Sequence, residues 1–222
     1  MFSKIAVSAL IAGFGAGLVA SVMQYAFVQP LLLHAELFEA DPTTALDIVT
    51  SPRGEFDLVR QGLNVIFAAL IYTGYAFILL AGMVFAEQRG HPITARNGII
   101  WGIAGFIAMH FAPAFGLAPD MPGLNGADVE ARQIWWYLTI ALTAGGLWAI
   151  AFGQSWMLWG VGIILIAAPH IIGAPTPDTL TNVAPPELAS LFAARTLGTA
   201  LVVWTSLGLL LGGVWNSKLA EV

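Results

Sequence analysis

Four histidines, thirteen acids and no cysteine decide what chemistry this chain of 222 residues could host. Without thiolates, a metal would be met only by imidazole nitrogen and carboxylate oxygen, a donor set that Co(II), Ni(II) and Zn(II) all accept. His170 stands in PHIIGAPTPD, from Pro169 to Asp178, directly after the apolar run WMLWGVGIILIAA. The stretch MHFAPAFGLAPDMPG, from Met109 to Gly123, repeats its order of histidine, proline and Pro-Asp, with Asp120 ten residues after His110 and Asp178 eight after His170. His34 opens HAELFEAD, close in sequence to Glu36, Glu39 and Asp41. On a helix His34 and Glu36 point apart, so a turn or extended segment is needed for them to act together. Proline interrupts the helical hydrogen-bond ladder, and irregular backbone at membrane depth survives only where protein or a watery cavity surrounds it. His34, His110 and His170 are therefore candidate nitrogen ligands, and Glu36, Asp120 and Asp178 candidate oxygen ligands. A lone histidine at a helix end is more often an interfacial residue or a partner of a carbonyl, and His91, in EQRGHPITAR, reads as a solvated loop residue.

The elements that must position these groups are membrane helices. Hydrophobic residues make up 58% of the chain and charged residues 9%, against about 25% charged in a soluble domain. Apolar runs at roughly 5–33, 61–86, 97–118, 134–153, 156–173 and 187–214 each approach or exceed the ~20 residues a spanning helix needs. The expected fold is all-α: a single integral membrane domain over residues 1–222, with about six transmembrane helices and an extracytoplasmic face rich in proline, histidine and acid. Lys4 and the following IAVSALIAGFGAGLVAS resemble a secretory signal, but the run continues to Leu33, about twice the usual apolar length, and reads as a retained helix.

Six spans put both termini on one side. With the N-terminus in the cytoplasm, Lys4, Arg89, Arg96 and Lys218 face inward, and Arg53, Arg60, Arg132 and Arg195 outward. The inward cations occupy short segments, where the positive-inside rule weighs most, and eleven of the thirteen acids then fall outside. Trp101, Trp156, Trp159 and Trp215 would mark inner helix ends and Trp135 and Trp136 an outer one, while Trp148 and Trp204 fit that belt less cleanly. Eleven of the twelve prolines lie outside or at outer ends, Pro92 excepted. An acidic mouth concentrates cations by its field. Arg195 reads as an ion-pair partner or snorkelling anchor, and Arg132 as an interfacial anchor.

Gly13-x-x-x-Gly17, Gly98-x-x-x-Gly102 and Gly208-x-x-x-Gly212 point to close helix packing. No phosphate-binding loop, H-E-x-x-H or G-x-S-x-G occurs, so neither an ATP site of that type nor an enzyme is expected, and nucleic acid is not an expected partner. A bilayer and a divalent cation are the expected partners, while the oligomeric state, a homo-oligomer included, is left open by the sequence.

The segments LAPDMPG, ARQIWWYLTIALTAGGL, PHIIGAPTP and APPELASLFAARTLGTALVVWTSLGLLLG, in that order, together with FVQPLLLHAELFE, resemble the CbtA family of predicted cobalt transporter subunits. The resemblance implies a bacterial inner-membrane permease subunit that takes up Co(II) for cobalamin synthesis beside a small partner, CbtB, with one helix and a histidine motif. It places His34, His170, Asp178 and Glu187 in or next to matching motifs, with His110 just upstream of one. It implies no resident cofactor, the metal being cargo. Affinity order alone would favour Ni(II) over Co(II), and a non-transporting scaffold subunit is the alternative from a different class. The energy source stays open; the membrane potential is worth about 4.6 kcal/mol for a doubly charged ion per 100 mV.

Overall fold

The computed structural model describes residues 2–40, 57–121, 126–177 and 185–217, and regular structure among them is entirely helical. In chain order come α1 (Phe2–Met23), a π-helical turn (Gln24–Val28), α2 (Gln29–Ala40), α3 (Leu58–Glu87), α4 (Ala95–Phe106), a second π-helical turn (Ile107–Phe111), α5 (Ala112–Ala114), α6 (Val129–Phe152), α7 (Trp156–Ile172) and α8 (Pro186–Trp215). Among the described residues, five continuous stretches are long and apolar enough to cross a membrane: Phe2–Phe38, Leu58–Glu87, Ala95–Ala114, Val129–Phe152 and Pro186–Trp215. The sixth, α7, has 17 residues and rises about 25 Å at 1.5 Å per residue, somewhat less than the ~30 Å hydrocarbon layer.

The helix ends follow local chemistry. Asp57 caps α3 by accepting from the backbone N–H of Val59 (2.9 Å) and Arg60 (3.2 Å), so the helix starts at Leu58, three residues before the apolar run. Asp128 caps α6 through Ala131 N–H (2.9 Å) and Ser155 caps α7 through Leu158 N–H (3.3 Å). The third span ends at Ala114 rather than near 118, because Pro113 O accepts from both Gly116 (3.1 Å) and Leu117 (2.8 Å) and turns the chain. The first span continues as helix to Ala40, well past Leu33.

The chain separates into two compact units. One comprises residues 1–29, 53–106 and 198–222; the other, residues 30–52 and 107–197. In the first, α1 packs along α3. A Cβ on Gly13 would strike the Thr73 backbone and one on Gly17 the Ala69 backbone, so this small-residue pair is a contact surface. The other two spaced pairs face each other: a Cβ on Gly98 would meet the Gly208 carbonyl, one on Gly102 the Trp204 carbonyl, and one on Gly212 the Thr94 carbonyl. At one end of this unit Lys4 Nζ sits 4.3 Å from the Trp215 ring centroid, Trp215 Nε1 donates to Glu87 Oε1 at 3.2 Å, and Asn216 donates to the carbonyls of Ile93 and Gly212. The start of span one and the ends of spans two and six thus share a side with the turn that opens span three, as an even number of crossings requires.

In the second unit α6 and α7 form an antiparallel hairpin. Gly146 and Gly162 sit so close across it that a Cβ on either would meet the other's carbonyl oxygen, at 2.6 and 2.7 Å. The second π-helical turn and α5 both pack against α6.

Tryptophan placement departs from the interfacial belt. Trp135 (5% exposed) and Trp215 (6%), expected at helix ends, are core residues, as is Trp204 (2%), which fits the belt poorly in sequence, whereas Trp156 (79%) stays on the surface. The N–H groups of Trp135 and Trp215 find acceptors inside the helix packing, in Pro169 O and Glu87 Oε1, which composition and position along the chain do not distinguish from an interfacial site.

Candidate metal-handling end

The three histidines singled out by the sequence all belong to the second unit and share a backbone context. His34 lies one turn after Pro30, His110 three residues before Pro113, and His170 directly after Pro169. In each case the proline is within a helix or its first turn, and it cannot return the usual hydrogen bond to the carbonyl four residues earlier. In spans one and three the residues just before the proline adopt the wider π-helical turn, which inserts an extra residue and re-aims the side chains that follow. His110 lies within such a turn.

His170 is exposed at the end of α7, where Gly173, at φ 89°, stops the helix and returns its N–H to Pro169 O at 3.0 Å. The same carbonyl accepts from Trp135 Nε1 at 3.1 Å, so α6 holds the end of α7 in place. The imidazole meets two rings edge-on, Phe115 (5.9 Å, 71°) and Trp135 (6.1 Å, 72°), and makes no hydrogen bond to any described residue. It borders an open groove of about 660 Å³, walled by Ile107, Phe111, Phe115, Trp135 and Ile166 with Thr176 at the rim. Gly116 is required here, since a Cβ would press on the Trp135 ring and on Ala174 Cβ.

The remaining candidates are less concentrated. His34 is half-buried beside Phe38 (5.4 Å between rings), and its Nε2 is buried with no hydrogen-bond partner among the described residues. His110 is half-buried, with Nε2 shielded from solvent. Because α2 is helical through both positions, His34 and the exposed Glu36 point to opposite sides, and the turn that would have joined them is not formed. The Asp120 carboxylate is ion-paired with the Arg132 guanidinium, which gives Arg132 a partner on the loop. Asp178 lies outside the described residues, as do Asp41, Asp47 and Glu55. Among the described residues no three His, Asp or Glu side chains come together as a metal site would require. The groove and the Asp120–Arg132 pair were not foreseen from sequence; the only hint was that Arg132 precedes Trp135 by one helical turn.

The family model described as probable cobalt transporter subunit (CbtA) matches residues 2–216, nearly the whole chain. This chain belongs to the CbtA family. No curated protein and no solved structure matches it. The described CbtA fold is accordingly an all-helical membrane protein whose family role is that of a transporter subunit, with His34, His110 and His170 in one of two compact units and His91 in the other.

Proposed function

We propose that this CbtA protein is a permease subunit that admits a divalent transition metal, Co(II) foremost, across the bacterial inner membrane, with both termini in the cytoplasm. The observation that carries the reading is the repeated pairing of histidine with an intrahelical proline on spans one, three and five, all within one unit. An imidazole beside an interrupted helix is a nitrogen donor next to backbone carbonyls that lack their ordinary helical partner, a polar site at a depth where polarity is otherwise costly. His170, His110 and His34 serve in turn as transient nitrogen ligands, with Glu36, Asp178 and, once released from Arg132, Asp120 as oxygen donors. Sparse ligation suits transport, since a cargo bound by a full ligand set would not leave. A small single-helix, histidine-bearing CbtB-like subunit supplies further donors, and the protein acts as carrier or channel rather than as an enzyme.

Uptake of radiolabelled cobalt by cells expressing the chain with and without that partner tests the reading. The expected outcome is that His170→Ala combined with His110→Ala lowers uptake at least several-fold while protein in the membrane stays constant. Unchanged uptake would favour the scaffold role, for which the lack of a three-ligand group among the described residues is the supporting observation. Parallel uptake of nickel distinguishes the two metals, which imidazole and carboxylate do not separate.

A further inference from the structure

We infer that the groove beside His170 captures the metal as a neutral chelate of a small, flat organic ligand, with the imidazole filling a coordination position that the ligand leaves open. The inference rests on the reading of the chain as a metal permease subunit and adds the form in which cargo is first held. A groove of about 660 Å³ falls in the ~300–1,000 Å³ range of sites for small organic molecules and is far larger than one ion needs. Its walls are the wrong chemistry for a hydrated dication. The described lining includes aromatic and aliphatic side chains, one imidazole and one hydroxyl, but no acid. From the described lining, a doubly charged ion that gives up water gains one nitrogen and one hydroxyl oxygen and otherwise faces hydrocarbon, which opposes binding.

A chelator carrying two negative charges in total removes both objections, because it cancels the charge of the metal and brings most of the donors. Its ring then lies against Phe115, Phe111 and Trp135, whose exposed or groove-facing surfaces offer offset or edge-to-face stacking. His170, positioned by those rings and by no hydrogen bond to a described residue, presents a nitrogen that displaces one metal-bound water. Imidazole is a strong donor to this class of metal, and a single such bond gives orientation without trapping the cargo.

The probe is cobalt(II) bis(picolinate), a neutral complex with two bound waters, offered to the full detergent-solubilised chain in equilibrium dialysis. The hexaaqua cobalt(II) ion and metal-free picolinate are the comparisons. The chelate is expected to bind more tightly than the hexaaqua ion, and its visible spectrum to change as nitrogen replaces water. Altering even an outer-sphere partner of a metal ligand costs about 10–100-fold in affinity, so His170→Ala should weaken binding at least about tenfold and abolish the spectral change. Ala174→Trp, which fills the groove and removes no donor, should do the same for binding; melting temperatures establish that both variants fold. Equal affinity for chelate and hexaaqua ion overturns the inference. So does chelate binding that ignores His170 and is displaced by phospholipid, which would mark the groove as an acyl-chain site. If cellular uptake depends on His170 and His110 while the chelate does not bind, this inference alone fails; if the chelate binds through His170 while uptake ignores both histidines, the permease reading fails instead.

Discussion

At the residue scale, the side chains that look alike in sequence have been given different work by their neighbours. Asp57, Asp120 and Asp128 are three acids flanking spans, yet two cap helices and the third holds an arginine. Replacing Asp57 by Ala should destabilise the protein by about 1 kcal/mol, the usual value of a lost cap, read as a lower melting temperature in detergent. The Asp120–Arg132 pair is partly exposed, so a double-mutant cycle with Asp120→Asn and Arg132→Gln should give a coupling of only about 0.2–1 kcal/mol. A coupling near zero would return Asp120 to the pool of free oxygen donors. Trp135 differs from a belt tryptophan in the same way: Trp135→Phe removes the hydrogen bond to Pro169 O, worth about 0.6 kcal/mol for a typical interhelical bond in a membrane, and loosens the wall behind His170.

At the scale of elements, glycine spacing and proline position divide the labour. Glycines let α1 approach α3 and α4 approach α8, while the prolines and π-helical turns sit where helices must deviate and where the histidines lie. Gly98→Val and Gly208→Val force a side chain onto facing backbone, which cannot rotate away, and each should cost at least the 1–3 kcal/mol typical of overpacking. Gly62→Ala, where an added Cβ meets nothing within 4 Å, should be neutral or slightly stabilising. Comparing folded yield and melting temperature across the three variants checks this; a harmless Gly98→Val would mean that the α4–α8 contact is not as close as described. The spaced glycines were legible in sequence, but which pair faced which was not, because a small-residue stripe carries no address for its partner.

At the scale of the whole molecule, sidedness decides which face receives cargo. The contacts among Lys4, Glu87, Ile93, Trp215 and Asn216 put the relevant helix ends on one side, which the proposed orientation takes as the cytoplasmic one. Because the natural chain has no cysteine, single cysteines report position without background. Thr176→Cys should react with a membrane-impermeant thiol reagent added to intact cells, and His91→Cys only after the membrane is opened. The reverse pattern would place the groove in the cytosol and remove the uptake direction proposed above.

The family and the all-helical class with its long apolar helices were determined by sequence alone, the latter because the cost of exposing backbone to hydrocarbon forces long apolar runs to be helices wherever they occur. The repeated histidine and proline pattern was visible for the same reason: few residue types in such a chain are polar, and they stand out. Tertiary structure alone decided that His34 and Glu36 diverge, that Asp120 is claimed by Arg132, that Trp135 is buried under Pro169, and that His170 faces an aromatic groove. Each of these depends on which helix lies beside which. In a chain this uniformly apolar, that choice is made by shape and a few hydrogen bonds between distant residues, and a linear pattern of hydrophobicity does not contain it.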